Sequence, residues 1–203
     1  MTLTTLEASL YPTHCLAVKQ TNAPPNSPAL MLPVDSGLYA KGFRPDLAWP
    51  KEDEPPPEIP IPTEPSTEPM GELPSIPLLS GGPIRISLPV LQITVPHLTS
   101  LPLLLLFGLK LETAVEILTY RLLPASVVDE FPGAPAMIDL FAKYPEMQFE
   151  RYHMLIGGVW ANILALGLRD ERIVDMVGKA WNVARQAKAI RQAQFGVSSQ
   201  QRY

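Results

Sequence analysis

The sequence predicts a mainly α C-terminal half, a small helical bundle with a long helical hairpin, preceded by an extended proline-rich arm with short edge strands. Three observations carry that prediction. Of the 24 prolines, 19 lie between Pro24 and Pro102, a density that opposes a conventional compact fold there. Between Pro74 and Leu104 a phrase recurs: a hydroxyl residue, an apolar residue, proline, any residue, leucine. Its copies are 75–79, 87–91, 94–98 and 100–104. Beyond Leu111 the proline density falls, and apolar residues recur at helical spacing.

The chain therefore divides into an irregular N-terminal arm (1–50), an acidic polyproline spacer (51–73), a proline-dotted strap (74–104) and a helical domain (105–203). In the arm, short apolar pieces at Leu3, Leu6, Leu10 and Leu30-Met31-Leu32 are separated by turn residues, so no core of their own is expected. Leu38 to Arg44 reads as a short strand. In the spacer, Pro55-Pro56-Pro57, Ile59-Pro60-Ile61-Pro62 and the near repeat Thr63-Glu64-Pro65, Thr67-Glu68-Pro69 favour polyproline II geometry. At ~3.1 Å per residue the spacer reaches about 70 Å.

Each proline of the strap fixes its own φ, removes a donor and pushes its neighbour toward extended geometry. After the turn at Ser80-Gly81-Gly82-Pro83, Ile84, Ile86 and Leu88 alternate with Arg85 and Ser87. Leu91, Ile93 and Val95 alternate with Gln92 and Thr94. Period two predicts strands with one buried face, confined by the prolines to an edge. Two placements follow: addition to another chain's sheet, or a local hairpin under the helical domain. An apolar strap needs a surface in either case.

A helix is expected from Leu111 to Leu123, with Leu111, Val115, Leu118 and Leu122 on one stripe. Ser126 is placed to cap a short turn through Phe131, with Asp129 completing a capping box. A loop at 132–135 and a helix from Ala136 to Lys143 follow. The long helix from Pro145 to Leu168 carries Phe149, Tyr152, Ile156, Val159, Ile163 and Leu166 on its seam, with Gly157, Ala161 and Ala165 as a small-residue stripe. Asp170 caps a last helix running to about Phe195, whose seam is Val177, Ala180, Ala184 and Ala187 with Trp181 adjacent. The two small faces suit an antiparallel hairpin, or contacts between subunits.

Charge follows the same division. Residues 1–103 hold 10 acidic and 5 basic side chains, and residues 104–203 hold 10 and 11. The acid concentrates between Asp46 and Glu72. Lys179, Arg185, Lys188, Arg191 and Arg202 form a basic tail suited to the acidic segment of a neighbouring copy, or a solvated helix face. Aromatic residues do not interleave with that tail, so nucleic acid is not an expected partner. Cys15 stands alone, which excludes an internal disulfide, and the N-terminus lacks the pattern of a secretory signal; cytoplasmic synthesis is the expectation. Met154 to Leu168 is apolar but shorter than the ~20 residues a spanning helix needs.

Chemistry-bearing motifs are sparse. Glu146, Glu150 and His153 share a helix face, and Glu-x-x-His occurs once, where a di-iron bundle needs two such units. Glu112 and Glu116 are the further carboxylates, but no second histidine joins them. No nucleophile elbow or phosphate loop is present. The expectation is a non-enzymatic structural subunit, without cofactor or metal, that staples other protein subunits, identical or different, in a large symmetric assembly such as a virus or phage head, tail or baseplate. The partner-binding residues expected are Ile76, Leu79, Ile84, Ile86, Leu88, Leu91, Ile93, Val95 and Leu98 of the strap, with Gly157, Ala161 and Trp181 of the hairpin. The alternatives are a small subunit of a membrane complex using 154–168 as a short buried span, and a proline-rich cytoplasmic adaptor.

Overall fold

A computed structural model describes residues 12–44 and 88–200, with side chains up to Gln194. The spacer, the first two copies of the strap as far as Ser87, and the residues Ile76, Leu79, Ile84 and Ile86 lie outside the described residues. The C-terminal half is mostly helical, and a small three-stranded sheet stands before it.

The sheet is built from β1 (His14–Gln20), β2 (Leu30–Val34) and β3 (Val90–Val95), in the order β2-β1-β3. β1 is central: Leu16, Ala17 and Val18 are buried. β2 runs antiparallel to it, with Cys15 opposite Pro33, and β3 runs parallel, with Val18 opposite Ile93. Pro33 lacks a donor and is tolerated because β2 is an edge strand. The N-terminal arm therefore does contribute a core element, contrary to the expectation from its irregular pattern. The strap also pairs within its own chain, with a strand about seventy residues earlier rather than with a local hairpin partner.

Leu38 to Arg44 is not a strand. It lies mostly in helix α1 (Ser36–Gly42), because Asp35 accepts the backbone N–H of Leu38 at 2.7 Å and supplies the N-cap. Tyr39 and Phe43 stack with ring centroids 4.8 Å apart, both fully buried. Burial pushes the Tyr39 phenol up to about 12. The last strap copy also departs from expectation: after a 3-10 turn at Leu98–Ser100, helix α2 spans Leu101–Gly108 with Pro102 in its first turn. A proline that forbids a helix interior suits a helix start.

α1 and α2 cross with their backbones in contact. A Cβ on Gly42 would lie 2.0 Å from the Gly108 carbonyl oxygen, and one on Gly108 would lie 2.3 Å from the Phe43 ring. Only glycine permits this approach.

The remaining helices are α3 (Val115–Leu122), α4 (Ala125–Val128), α5 (Ala134–Ala142), α6 (Glu146–Leu166) and α7 (Glu171–Gln200). α3 starts later than expected, leaving Leu111 exposed, while Leu118 and Leu122 are buried. Glu112 turns back to accept the N–H groups of Thr113 and Ala114, both at 2.8 Å. Ser126 does not cap α4, whose N-cap is Pro124; its hydroxyl instead meets the Tyr144 hydroxyl at 2.6 Å. α5 begins within the expected loop, with Pro135 in its first turn. α6 stops at Leu166 because Gly167 turns left-handed at φ +62°. Asp170 caps α7, accepting the Arg172 N–H at 3.1 Å. Burial alone would raise its pKa; the Arg172 guanidinium, with the N–H groups of Arg172 and Ile173, outweighs burial and holds it below the ordinary value.

α6 and α7 form the hairpin, and its fit is reciprocal. Gly157 on α6 faces the Trp181 ring of α7, and Gly178 on α7 faces the Trp160 ring of α6. Val177, Ala180, Ala184 and Ala187 are buried along the seam. The end of α1 is tied to the α6–α7 turn: Arg44 N–H donates to the Leu166 carbonyl at 3.2 Å, and Arg169 N–H donates to the Gly42 carbonyl at 2.9 Å. One continuous core holds Leu16, Val18, Tyr39 and Phe43 together with Ile93, Phe107, Phe141, Phe149 and Val177. The packing therefore crosses the expected boundary at residue 105.

Three predictions follow from this packing. Expressing residues 105–203 alone removes the sheet, α1 and half of α2 from the core, so the fragment is expected to lose cooperative thermal unfolding by near-UV circular dichroism. Gly42→Ala places a methyl group against a backbone carbonyl, and is expected to cost at least about 2 kcal/mol in urea denaturation. Gly157→Ala, whose Cβ would meet Trp181 at 3.0 Å, is expected to cost less.

Candidate functional site

Asn162 is the polar residue in the apolar run of α6, and it is fully buried. Its Oδ1 accepts the His97 N–H at 3.0 Å, and its Nδ2 donates to the His97 carbonyl at 2.7 Å and to Ser100 Oγ at 3.1 Å. Ser100 Oγ also lies 2.9 Å from His97 Nδ1. The His97 ring occupies space left by Gly158, where a Cβ would lie 2.2 Å from Nδ1. The neighbouring glycines thus serve different partners, Gly157 admitting Trp181 and Gly158 admitting His97. This network joins the end of β3 and the start of α2 to the middle of α6.

Of the strap residues expected to bind partners, Leu91, Ile93, Val95 and Leu98 join the chain's own core, and Ile76, Leu79, Ile84 and Ile86 lie outside the described residues. Ile93 and Val95 are buried, and Leu88, Leu91 and Leu98 are half-buried. Of the hairpin residues, Gly157 and Trp181 pack against each other within the chain, and Ala161 is half-buried. What β3 leaves outward is Val90, Gln92 and Thr94, all exposed, along an edge that carries no charged side chain and is bounded by Pro89 and Pro96. Among the described residues, β3 pairs on one side only.

The basic tail is also partly committed. Arg191 donates from Nη1 to the carbonyls of Ala142 at 2.6 Å and Tyr144 at 2.7 Å, pairs with Glu146, and lies 4.7 Å over the Phe149 ring. It closes the end of α5 against α7. Lys188 pairs with Glu150 at 3.4 Å and Lys179 with Asp175 at 2.6 Å. Glu146 and Glu150 are thereby held by cations, while His153 lies between the rings of Phe149 and Trp181, at 5.9 and 5.3 Å. No group of three metal-ligating side chains occurs among the described residues, and none of their helices is long and apolar enough to cross a membrane.

A site that sequence reasoning missed is an apolar groove of about 690 Å³ between α3, α4, α5 and α7. Its floor includes the buried Leu123, Met137, Ile138 and Val183. Two aromatic rings stand open along it, Tyr120 at 52% exposure and Phe131 at 67%. Glu116, Asp129 and Asp175 lie on its walls, and the one lysine there, Lys179, is paired with Asp175. The arrangement provides aromatic faces and carboxylates, without a nucleophile–base pair. The available signal was Tyr120, an aromatic residue off the buried stripe of α3.

Two measurements test this geometry. Asn162→Ala leaves the His97 N–H and carbonyl without their buried partner, and a loss of about 2–4 kcal/mol is expected in urea denaturation; a loss below about 0.5 kcal/mol contradicts the network's role. Burial lowers the His153 pKa from its ordinary value of 6.5, Lys188 lowers it further, and Glu150 partly offsets both. The unfolded chain therefore takes up a proton that the folded chain resists. Stability is expected to hold above pH 6.5 and to fall as pH drops below it toward the folded-state pKa. His153→Gln is expected to flatten that slope in a pH series of denaturation midpoints.

Compared with known proteins, the chain matches no family model, no curated protein and no solved structure.

Proposed function

We propose that the protein is a non-enzymatic structural subunit that links neighbouring protein subunits in a large assembly, with a virus or phage particle as the type of host. The observation that carries this reading is the outer edge of β3. Natural edge strands are commonly blunted by charge, internal proline or a bulge. β2 carries Pro33 within it, whereas β3 runs Val90-Leu91-Gln92-Ile93-Thr94-Val95 without a charge or proline. Such an edge accepts a further strand through its backbone groups. The chain enters β3 directly from the proline-dotted stretch 74–87, so the linking segment is rooted in a packed body.

The body suits an anchor. Its core ties sheet and helices together, and its cations close internal contacts. The test uses tagged full-length chain made in its natural cells and separated on a density gradient. Wild-type chain is expected to sediment with high-mass particles, and Gln92→Lys with Thr94→Lys is expected to shift it to the light fractions. Both side chains are exposed, so the folded body is expected to survive the change. If wild-type chain sediments only as a free small protein, the reading fails.

A further inference from the structure

We infer that the groove between α3, α4, α5 and α7 is the receptor for residues 74–87 of a neighbouring copy of this chain, an inference that rests on the linking role proposed above and specifies its contact. The chemistry of the two surfaces matches. The groove is apolar, has Tyr120 and Phe131 open along it, and carries Glu116 and Asp129, neither of which has an ion-pair partner among the described residues. Residues 74–87 read PSIPLLSGGPIRIS, with Arg85 as the only charge. Proline-dotted segments dock on aromatic grooves at low entropic cost, and a basic residue beside the prolines pairs with groove carboxylates. The spacer at 51–73 is acidic and is disfavoured by the same carboxylates.

The source of the segment follows from the linking role, in which one copy's segment meets another copy's body. Each copy then offers one segment and one groove, a heterologous contact that builds rings or filaments.

The experiment titrates a fluorescein-labelled peptide of residues 74–87 with full-length chain in which Ile76, Leu79, Ile84 and Ile86 are replaced by serine, so that its own segment does not compete. Saturable anisotropy is expected. Arg85→Glu in the peptide, or Asp129→Lys in the chain, is expected to weaken binding at least about tenfold, and combining the two is expected to restore part of it. Both altered positions are solvent-exposed or on the peptide, and circular dichroism verifies the fold of each chain variant. Absence of saturable binding, or binding indifferent to both charge changes, overturns the assignment while leaving the gradient test of the linking role untouched. Sedimentation velocity of the unaltered chain decides the source: concentration-dependent association abolished by Asp129→Lys supports a neighbouring copy. A strict monomer whose chain nonetheless binds the peptide overturns it in favour of docking within one chain.

Discussion

The structure depends on one buried amide. Asn162 sits fully buried in the middle of α6, and its three hydrogen bonds go to His97 and Ser100. A buried polar group without partners is costly, so the amide specifies which segment may lie against α6 and in what register. That segment is the junction of β3 and α2. Once it is placed, β3 lies beside β1, and α2 is directed toward the glycine crossing with α1. Gly158 belongs to the same constraint, because the His97 ring occupies the volume a side chain would take.

Close approach recurs throughout the body and follows from small residues at facing positions. Gly42 meets Gly108, and Gly157 and Gly178 each receive a tryptophan ring from the opposite helix. A tryptophan against a glycine buries a large apolar area while keeping the helix axes near. Reciprocal placement fixes the sliding register of α6 on α7, which a uniform alanine seam would leave less determined. Arg191 then joins the end of α5 to α7 through two carbonyls and an aromatic face, a geometry that lysine's single ammonium does not reproduce.

These internal commitments shape what the surface has left to offer. The inward alternation of β3 goes to the core, and the basic side chains at 179, 188 and 191 go to carboxylates or carbonyls of the same chain. What remains is a strand edge, an aromatic groove with open carboxylates, and a proline-dotted segment that precedes both in sequence. A linking subunit needs a rigid body and an extended segment whose docking chemistry differs from the body's own core. In the linking role proposed above, the segment's single arginine and the groove's carboxylates would supply that difference.

The sequence by itself determined the helices of the second half. Their long apolar periods, Pro145 opening the long helix and the Asp170 cap are local signals, and the hairpin of α6 and α7 follows from small residues at helical spacing. It also determined the β3 strand, through period two between Pro89 and Pro96. Only the tertiary structure decided the first part of the fold. His14–Gln20 is too short to show a period, and Pro33 argues against a strand unless it is known to lie at an edge. The pairing of β1 with β3 joins segments about seventy residues apart, which no local pattern encodes. Asn162 was visible as an amide in an apolar run, yet its partners at 97 and 100 were not, because a hydrogen bond's acceptor is chosen by packing. The groove belongs to the same class: its walls come from four helices, and a concave surface exists only once they are assembled.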